Sequence, residues 1–152
     1  MIILGLNAFH GDSSACLVRD GVLIAAAEEE RFRRLKHWAG FPSLSIAWCL
    51  EAAGLKLSDV DVIATNQDSK AHLPRKLLYT IQHRPSLKLI ADRLANRGKR
   101  KAIGDFLSEA FPDQPFHGRF EAVEHHIAHM SSAFHVSPFK SASVVSVDGF
   151  GD

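Results

Sequence analysis

The chain has 152 residues, of which 46% are apolar and 23% are charged, and its formal net charge is +1. These values are typical of a globular domain and exclude a disordered or fibrous chain, and no apolar run approaches the roughly 20 residues of a membrane-spanning helix. The two cysteines form no CxxC pair and the N-terminus carries no signal-peptide pattern, so we expect a cytoplasmic protein without a disulfide framework or a cysteine zinc site.

The first thirty residues predict three β-strands. The opening MIILGLN is a short apolar run rich in β-branched residues, which is typical of a buried strand. In ACLVRDGVLIAAAEEERF the pair Asp20-Gly21 separates two apolar stretches, and this pair favours the positive φ angles of a type I′ turn. We therefore expect a tight hairpin after the first strand, with the loop AFHGDSS between them.

The rest of the chain predicts helices that alternate with strands. Apolar spacing predicts a helix over 43–53 that stops at Gly54, and DVDVIATN predicts a strand. IGDFLSEAF predicts a short helix, FEAVEH a short strand, and the residues from 125 to about 135 another helix. SASVVSVDGFGD predicts a buried strand that ends in a glycine-rich turn. This order indicates an α/β fold with a mixed sheet, and its end directly after that turn suggests one lobe of something larger.

The middle of the chain is strongly basic. Residues 68–101 contain ten lysines or arginines against two aspartates, a charge of +8, whereas the remainder carries −7. We expect two amphipathic helices here with a break at Arg84-Pro85. Such a block attracts anions, nucleic acid among them, and the alternative is the solvated face of helices. Only Tyr79 is available for stacking on bases, which argues against nucleic-acid binding.

Three histidines lie within five residues, at His125, His126 and His129. Residues four apart on a helix share a face, so His125 and His129 can aim at one ion while His126 points elsewhere. Asp148, at the end of the last predicted strand, would complete a set of two imidazoles and a carboxylate that leaves positions open for substrate. The alternatives are plain surface polarity for the histidines and a turn-capping role for Asp148.

The histidine pattern differs from that of a zinc peptidase. The peptidase motif H-E-x-x-H requires a glutamate as general base directly after the first ligand, and His126 occupies that position here. A metal at this place is therefore not built for peptide hydrolysis in that way. His126 either contacts a ligand or points to solvent.

The loop after the first strand holds a second candidate group. Gly11 lets the backbone approach a ligand closely, consecutive N–H groups in such a turn can hold an anion, and His10 titrates near neutral pH as a general base does. Ordinary turn chemistry is the alternative.

In AEEERFRRLKHWAG, Lys36 or Arg31 can reach a phosphate or carbamoyl oxygen. The alternative there is a charged surface segment with glutamates and arginines paired at i,i+4.

Three motifs together resemble the N-terminal part of the O-carbamoyltransferases, which carbamoylate nodulation factors, cephalosporins and aminoglycosides. They are LGLNAFHGDSSACLVRDGVLIAAAEEERFRRLKH, VEHHIAHMSSAF and VVSVDGFGD. The likeness runs over residues 1–66 and 119–152. It implies that residues 1–152 are the N-terminal lobe of an actin-like ATPase (ribonuclease H-like) domain, related to tRNA threonylcarbamoyl-transfer proteins, with 67–118 as a helical, basic insertion.

The resemblance also implies a reaction. Enzymes of this family use carbamoyl phosphate and ATP to make carbamoyl adenylate in a separate domain, and the actin-like domain transfers the carbamoyl group to the hydroxyl of a small molecule. The resemblance implies these roles: a divalent metal, expected to be Fe(II), on His125, His129 and Asp148; His10 at the acceptor hydroxyl; Lys36 at the carbamoyl ligand; His126 at the substrate; and Gly149 and Gly151 at the nucleotide phosphate.

The 152 residues lack the second lobe and the adenylate-forming domain of this family, so we expect the fragment alone to be inactive and the missing parts to lie in a longer chain. Two alternatives stay open. One is a lobe that binds metal or nucleotide without activity of its own. The other is a nucleic-acid binder related to tRNA modification.

Overall fold

A five-stranded mixed β-sheet forms the centre of the molecule. The computed structural model describes residues 1–66 and 103–147. The strands are β1 (Ile2–Asn7), β2 (Ser14–Arg19), β3 (Val22–Glu28), β4 (Val62–Thr65) and β5 (Arg119–Ala122), in the spatial order β3-β2-β1-β4-β5. Strand β2 runs antiparallel to β1 and β3, whereas β4 is parallel to β1 and β5 is parallel to β4. The carboxyl ends of β1, β3, β4 and β5 therefore lie at one edge of the sheet, which confirms the prediction of an α/β fold with a mixed sheet.

The hairpin between β2 and β3 is the one that the sequence predicts. Asp20 and Gly21 have φ angles of 51° and 83°, as a type I′ turn requires at both central positions. The pairing shifts after Leu17, so that Ile24 is an extra residue in β3. Such a bulge increases the local twist of an edge strand.

The helices flank the sheet. They are α1 (Glu30–Arg33), α2 (Ser43–Ala53), a 3₁₀ turn (Leu57–Asp59), α3 (Ile103–Ala110) and α4 (His125–His135). The bounds of α2 and α4 agree with the predicted ones. Helix α2 ends where Gly54 adopts a φ of 64°, and the amide of Leu55 donates to the carbonyl of Leu50 (2.9 Å), which is the expected glycine stop.

The hydrophobic core lies between one face of the sheet and helix α2. Side chains alternate along a strand, so Leu4 of β1 and Leu17 of β2 point to the same face, and both are completely buried. Ile46 and Cys49 of α2 cover them and are also completely buried. Leu107 of α3 is also part of this core, although it lies far from the other core residues in the sequence.

The prediction of a buried strand over SASVVSVDGFGD is wrong for residues 141–147. These residues form no strand, and the side chains of Val145 and Val147 are 82% and 92% exposed. Alternating apolar residues become a buried strand only where a neighbouring strand accepts their hydrogen bonds and a facing layer covers them. Within the described residues, 141–147 have no such partner strand.

Several predictions lie outside the described residues. They concern the two amphipathic helices of the basic segment, and Asp148, Gly149 and Gly151. Of the predicted basic insertion 67–118, the described part consists of helix α3, the turn after it and a segment that leads to β5. Across 1–66 and 103–147, none of the helices has the length and apolar character needed to cross a membrane.

Candidate functional site

Helix α4 carries the three clustered histidines, and Glu124 fixes where it begins. The Glu124 carboxylate accepts hydrogen bonds from the backbone amides of His126 (3.1 Å) and Ile127 (2.8 Å). These amides have no carbonyl partner within the helix, and a carboxylate also suits the positive end of the helix dipole. The cap therefore starts the helix at His125, close behind the carboxyl end of β5.

His125 and His129 aim the same ring nitrogen at each other. One turn of α4 separates them, and their Nε2 atoms lie 3.1 Å apart. Two nitrogens that bind the same metal ion at about 2.0–2.1 Å lie about 2.9–3.4 Å apart, if the nitrogen–metal–nitrogen angle is between 90° and the tetrahedral value. The pair therefore has the spacing of two ligands on a common cation. Within residues 1–66 and 103–147, no third histidine, cysteine, aspartate or glutamate joins them in a metal-binding group.

The loop after β1 brings His10 to this pair. The rings of His10 and His125 are nearly parallel, with an interplanar angle of 21°, and their centroids are 6.0 Å apart. The two residues are separated by more than a hundred positions in the sequence, and the sheet joins them because β1 and β5 end at the same edge. The structure thus brings the ring of His10 close to the His125–His129 pair.

The His126 ring lies edge-on to His125, with 5.8 Å between the ring centroids, and makes a contact of its own. Its Nδ1 atom lies 3.0 Å from the hydroxyl oxygen of Ser146. This contact attaches the exposed segment 141–147 to helix α4. A contact with a ligand stays a prediction for His126, beside this contact within the chain.

Lys36 and Arg31 lie on the segment that follows β3. Both side chains are exposed, and Arg31 borders the cavity described below. Lys36 is flanked by Leu35 and His37, and the His37 ring contacts the His10 loop through Asp12, with 2.9 Å between Nδ1 and Oδ1. The Lys36 segment therefore adjoins the loop that carries His10.

A cavity of about 970 Å³ lies against the sheet, and Trp48 of α2 and Phe32 of α1 also line it. Its floor is a row of four small residues that are neighbours across four strands: Ala26, Cys16, Gly5 and Ala64. A Cβ atom on Gly5 would lie only 2.7 Å from the sulfur of Cys16, so glycine is required for this packing. Burial raises the pKa of the Cys16 thiol, so the floor stays uncharged.

The cavity becomes polar toward the carboxyl edge of the sheet. The next row of cross-strand neighbours consists of Asn7, Ser14 and Glu28, all of which line the cavity. The amide nitrogen of Asn66 donates to Oδ1 of Asn7 (3.1 Å), and Asn7 in turn donates to the backbone oxygen of Asp12 (3.0 Å). The polar row therefore also orients the loop that carries His10.

Helix α4 forms a wall of the same cavity. Ala128 and Ser131 line it, together with Val123 from the end of β5. Ala128 lies one turn after His125 and next to His129 in the sequence, so the histidine pair adjoins this wall. A mainly apolar pocket with a few polar side chains, here Asn7, Ser14 and Glu28, is the usual form of a small-molecule site.

Glu29 is a completely buried carboxylate behind this site. It accepts hydrogen bonds from the backbone amide and hydroxyl of Ser45 (2.8 and 2.9 Å) and from Nε of Arg33 (2.8 Å). For this stretch, surface pairs of glutamate and arginine at i,i+4 were the alternative to a functional role. The pair Glu29–Arg33 has that spacing, but its carboxylate lies inside the protein and caps helix α2.

The residues that shape the cavity or hold its loops carry little signal in the sequence and were not predicted. They are Gly5, Asn7, Cys16, Glu29, Asn66 and Glu124. Most of them act through contacts across strands or between distant segments, which leave no local pattern. Glu124 did leave one, since an acidic residue directly before a helical run is a capping signal.

Comparisons with known proteins match almost the whole chain. A family model described as Carbamoyltransferase N-terminus covers residues 2–152. Nodulation protein NolNO of Sinorhizobium fredii is 41% identical over 149 residues, which are 96% of this chain and 20% of that protein. An uncharacterized protein of Synechocystis, sll1178, is 36% identical over 99% of this chain and 26% of its own length. An uncharacterized 19.2 kDa protein of Rhizobium etli is 39% identical over 72% of this chain and 63% of its own length.

The chain thus spans about a fifth of NolNO and about a quarter of the Synechocystis protein. Each motif that carries the predicted resemblance lies within the range that the family model covers.

Proposed function

Because the chain belongs to the carbamoyltransferase N-terminus family, we propose that it supplies the transfer site of an enzyme that moves a carbamoyl group to the hydroxyl of a small molecule. The carbamoyl group comes from carbamoyl phosphate and is activated with ATP as carbamoyl adenylate. The activation belongs to a separate adenylate-forming domain of the longer protein. The observation that carries the proposal is the meeting of His10 with the His125–His129 pair on helix α4, whose Ala128 and Ser131 line a cavity of small-molecule size.

The fold supports this function as one lobe of an actin-like, ribonuclease H-like domain. The mixed sheet places the ends of β1, β4 and β5 at one edge, where open α/β sheets commonly bind their ligands. The second lobe would close over that edge. Gly149 and Gly151 are proposed to bind the nucleotide phosphate through their backbone amides.

His10 is proposed as the general base. The oxygen of the acceptor hydroxyl forms a bond to the carbamoyl carbon, the bond from that carbon to the adenylate phosphate breaks, and AMP leaves. The hydroxyl proton passes to the His10 ring, since histidine is the side chain that most often serves as a general base. His10 lies in the loop between β1 and β2, where its ring is beside His125 of the histidine pair.

The residues of the site also fit a divalent metal. The two Nε2 atoms at 3.1 Å are a suitable donor pair, and we propose Asp148 as the carboxylate that completes it. When bound, the metal, which we propose to be Fe(II), supplies a Lewis acid for the charge that develops on the carbamoyl oxygen. Lys36 is proposed to contact the carbamoyl ligand, and the cavity is proposed to hold the acceptor or the adenylate.

The test is a transfer assay with the longer protein that contains this chain. Labelled carbamoyl phosphate, ATP and a panel of alcohols, which includes aminoglycosides, a cephem alcohol and chitin oligosaccharides, are the substrates. We expect transfer to at least one alcohol, and a fall of about 10²-fold or more in His10→Ala because general-base catalysis contributes about that factor. His117→Ala, an exposed histidine in the segment before β5, is the matched control and should leave the rate unchanged.

Two results of this assay would contradict the proposal. The first is the absence of transfer to every alcohol by a wild-type protein that still consumes ATP. The second is equal activity in His10→Ala and His117→Ala. The 152-residue chain by itself should transfer no carbamoyl group to any acceptor.

A further inference from the structure

Two loops near the site contain an unusual number of left-handed backbone angles. Phe9 and Asp12 in the loop after β1 have φ angles of 64° and 62°, and Arg34 and His37 in the segment after α1 have 58° and 55°. Aspartate and histidine adopt this region more readily than most residues, but a bulky residue such as Phe9 rarely does. Such conformations persist where the surroundings hold them, and they often occur at functional sites.

Backbone hydrogen bonds join the two loops. The amide of Ser13 donates to the carbonyl of Trp38 (2.9 Å), and the amide of Phe9 donates to the carbonyl of Gly40 (3.2 Å). The hydroxyl of Ser13 contacts the carbonyls of Gly40 (2.8 Å) and His10 (3.0 Å). Ser13 is completely buried, so these bonds are shielded from water.

The second loop is supported from the inside of the protein. The guanidinium of Arg33 lies over the Trp38 ring, 4.4 Å from its centroid, and Arg33 is held by the buried carboxylate of Glu29. A Cβ atom on Gly40 would lie 2.7 Å from the Trp38 ring, so this glycine lets the ring pack closely. These internal contacts reach the second loop at Trp38, which directly follows the exposed residues Lys36 and His37.

One contact between side chains joins the exposed ends of the loops. The Nδ1 atom of His37 lies 2.9 Å from Oδ1 of Asp12, and both side chains are more than half exposed. Asp12 lies two residues after His10, and His37 directly follows Lys36. The contact therefore joins the neighbours of His10 and Lys36, the two residues for which a role in carbamoyl transfer is proposed.

We infer that Asp12 and His37 are positioning residues, which set the distance between the His10 loop and the Lys36 segment. The inference rests on the proposed function, because the value of that distance depends on His10 and Lys36 acting on one substrate. Reactions between held groups are sensitive to misplacement by as little as 1 Å. Neither Asp12 nor His37 is required to touch the substrate itself.

The first arm of the test measures the loops without any reaction. Amide hydrogen exchange of Phe9 and Ser13 reports the bonds between the loops, since both amides donate across them. His37→Gly removes the ring donor without adding strain at positive φ, and His37→Asn keeps a donor near the Nδ1 position and tolerates this φ. We expect exchange about two- to fivefold faster in His37→Gly, the size typical of a polar contact between exposed side chains, and near wild type in His37→Asn.

The second arm measures carbamoyl transfer by the longer protein. His37→Gly should lower kcat by roughly tenfold with little change in KM, because positioning acts on the reacting groups rather than on binding. His37→Asn should restore most of the rate. Asp12→Gly should lower kcat by the same factor as His37→Gly, and the double variant should show no further loss, because both changes remove one contact. His117→Gly, with an exposed histidine outside both loops, is the control and should change neither arm.

Unchanged exchange at Phe9 and Ser13 in His37→Gly would overturn the inference, whatever the rates. Faster exchange with an unchanged kcat would also overturn it, since the contact would then serve the loops and not the reaction. A wild-type protein that transfers no carbamoyl group would remove the proposed function and the positioning role with it. In that case the hydrogen-exchange measurement still shows separately whether the contact between Asp12 and His37 holds the two loops together.

Discussion

Gly5 and Cys16 face each other on strands β1 and β2, at the point where the floor of the cavity is tightest. A Cβ on Gly5 would lie 2.7 Å from the Cys16 sulfur, which is closer than real carbon and sulfur atoms approach. The backbone of Gly5 has an ordinary φ, so the requirement for glycine comes from space and not from conformation. The cavity owes its depth to such small side chains on adjacent strands.

Gly5→Ala should therefore lower the free energy of unfolding by about 1–3 kcal/mol, the usual cost of overpacking. Cys16→Ala removes the atom that the new methyl group meets, so the double variant Gly5→Ala/Cys16→Ala should regain most of the loss. Urea denaturation of the single and double variants measures both effects. Gly11→Ala is the matched control, since a Cβ there would meet nothing within 4 Å. Equal losses in the single and double variants would contradict this account of the floor.

At the scale of secondary structure, the elements with strong local signals were the ones predicted correctly. Asp20-Gly21 defines the hairpin, and apolar spacing with Gly54 defines α2, because turn and helix signals act over a few residues. The histidine cluster could be placed on a helix for the same reason, and the meeting of His125 with His129 followed from helical spacing.

Elements that depend on distant partners were harder to predict. The run over 141–147 has the apolar alternation of a strand, but a strand needs a neighbour, and the sequence does not show whether one is present. The cavity floor depends on the register between β1, β2, β3 and β4, which no single segment encodes. Glu29 resembled a surface charge because its burial results from the arrival of helix α2.

Glu29 joins three elements, since it follows β3, begins the segment of α1 and caps α2. Glu29→Gln keeps one oxygen but removes the charge that Arg33 and the helix end share. We expect the free energy of unfolding to fall by about 1.5–3 kcal/mol, the range for hydrogen bonds to a charged group. Glu51→Gln, an exposed glutamate on α2, is the control for chemical denaturation and should lose about 0.5 kcal/mol or less. Equal midpoints for the two variants would show that Glu29 is not a structural cap.

At the scale of the molecule, the two described ranges share one hydrophobic core. Leu107 of α3 is 2% exposed and packs with residues of the sheet and of α2. Phe106 beside it contacts Phe9 (5.0 Å between centroids) and Phe41 (5.5 Å), so α3 also supports the His10 loop. The segment after residue 102 is thus part of the same folding unit as the first 66 residues.

Leu107→Ala should lower the free energy of unfolding by about 2–5 kcal/mol, as for other large-to-small changes in a core. The loss should appear in a single transition that fluorescence of Trp38 and Trp48 detects. Leu44→Ala, with a side chain 41% exposed on α2, is the control and should cost much less. Similar losses in both variants would contradict the placement of α3 in the core.

The sheet also explains why a site forms from residues so far apart in the sequence. Strands β1, β4 and β5 deliver the His10 loop, Asn66 and helix α4 to one edge. The sequence motifs identified His10, His125 and His129 individually, and the parallel order of the strands brings them together. Lys36 joins this edge through the contact of its neighbour His37 with Asp12.

The metal content of the protein tests the proposed site most directly. Four proteins are purified without air and analysed for iron and other divalent metals per chain: the wild type, His125→Ala, His129→Ala and the control His135→Ala. His135 lies at the far end of the same helix. We predict metal in the wild type and in His135→Ala, and loss of most of it in His125→Ala and in His129→Ala, since each removes one of two converging nitrogens. Metal content that is the same in all four proteins would contradict the account.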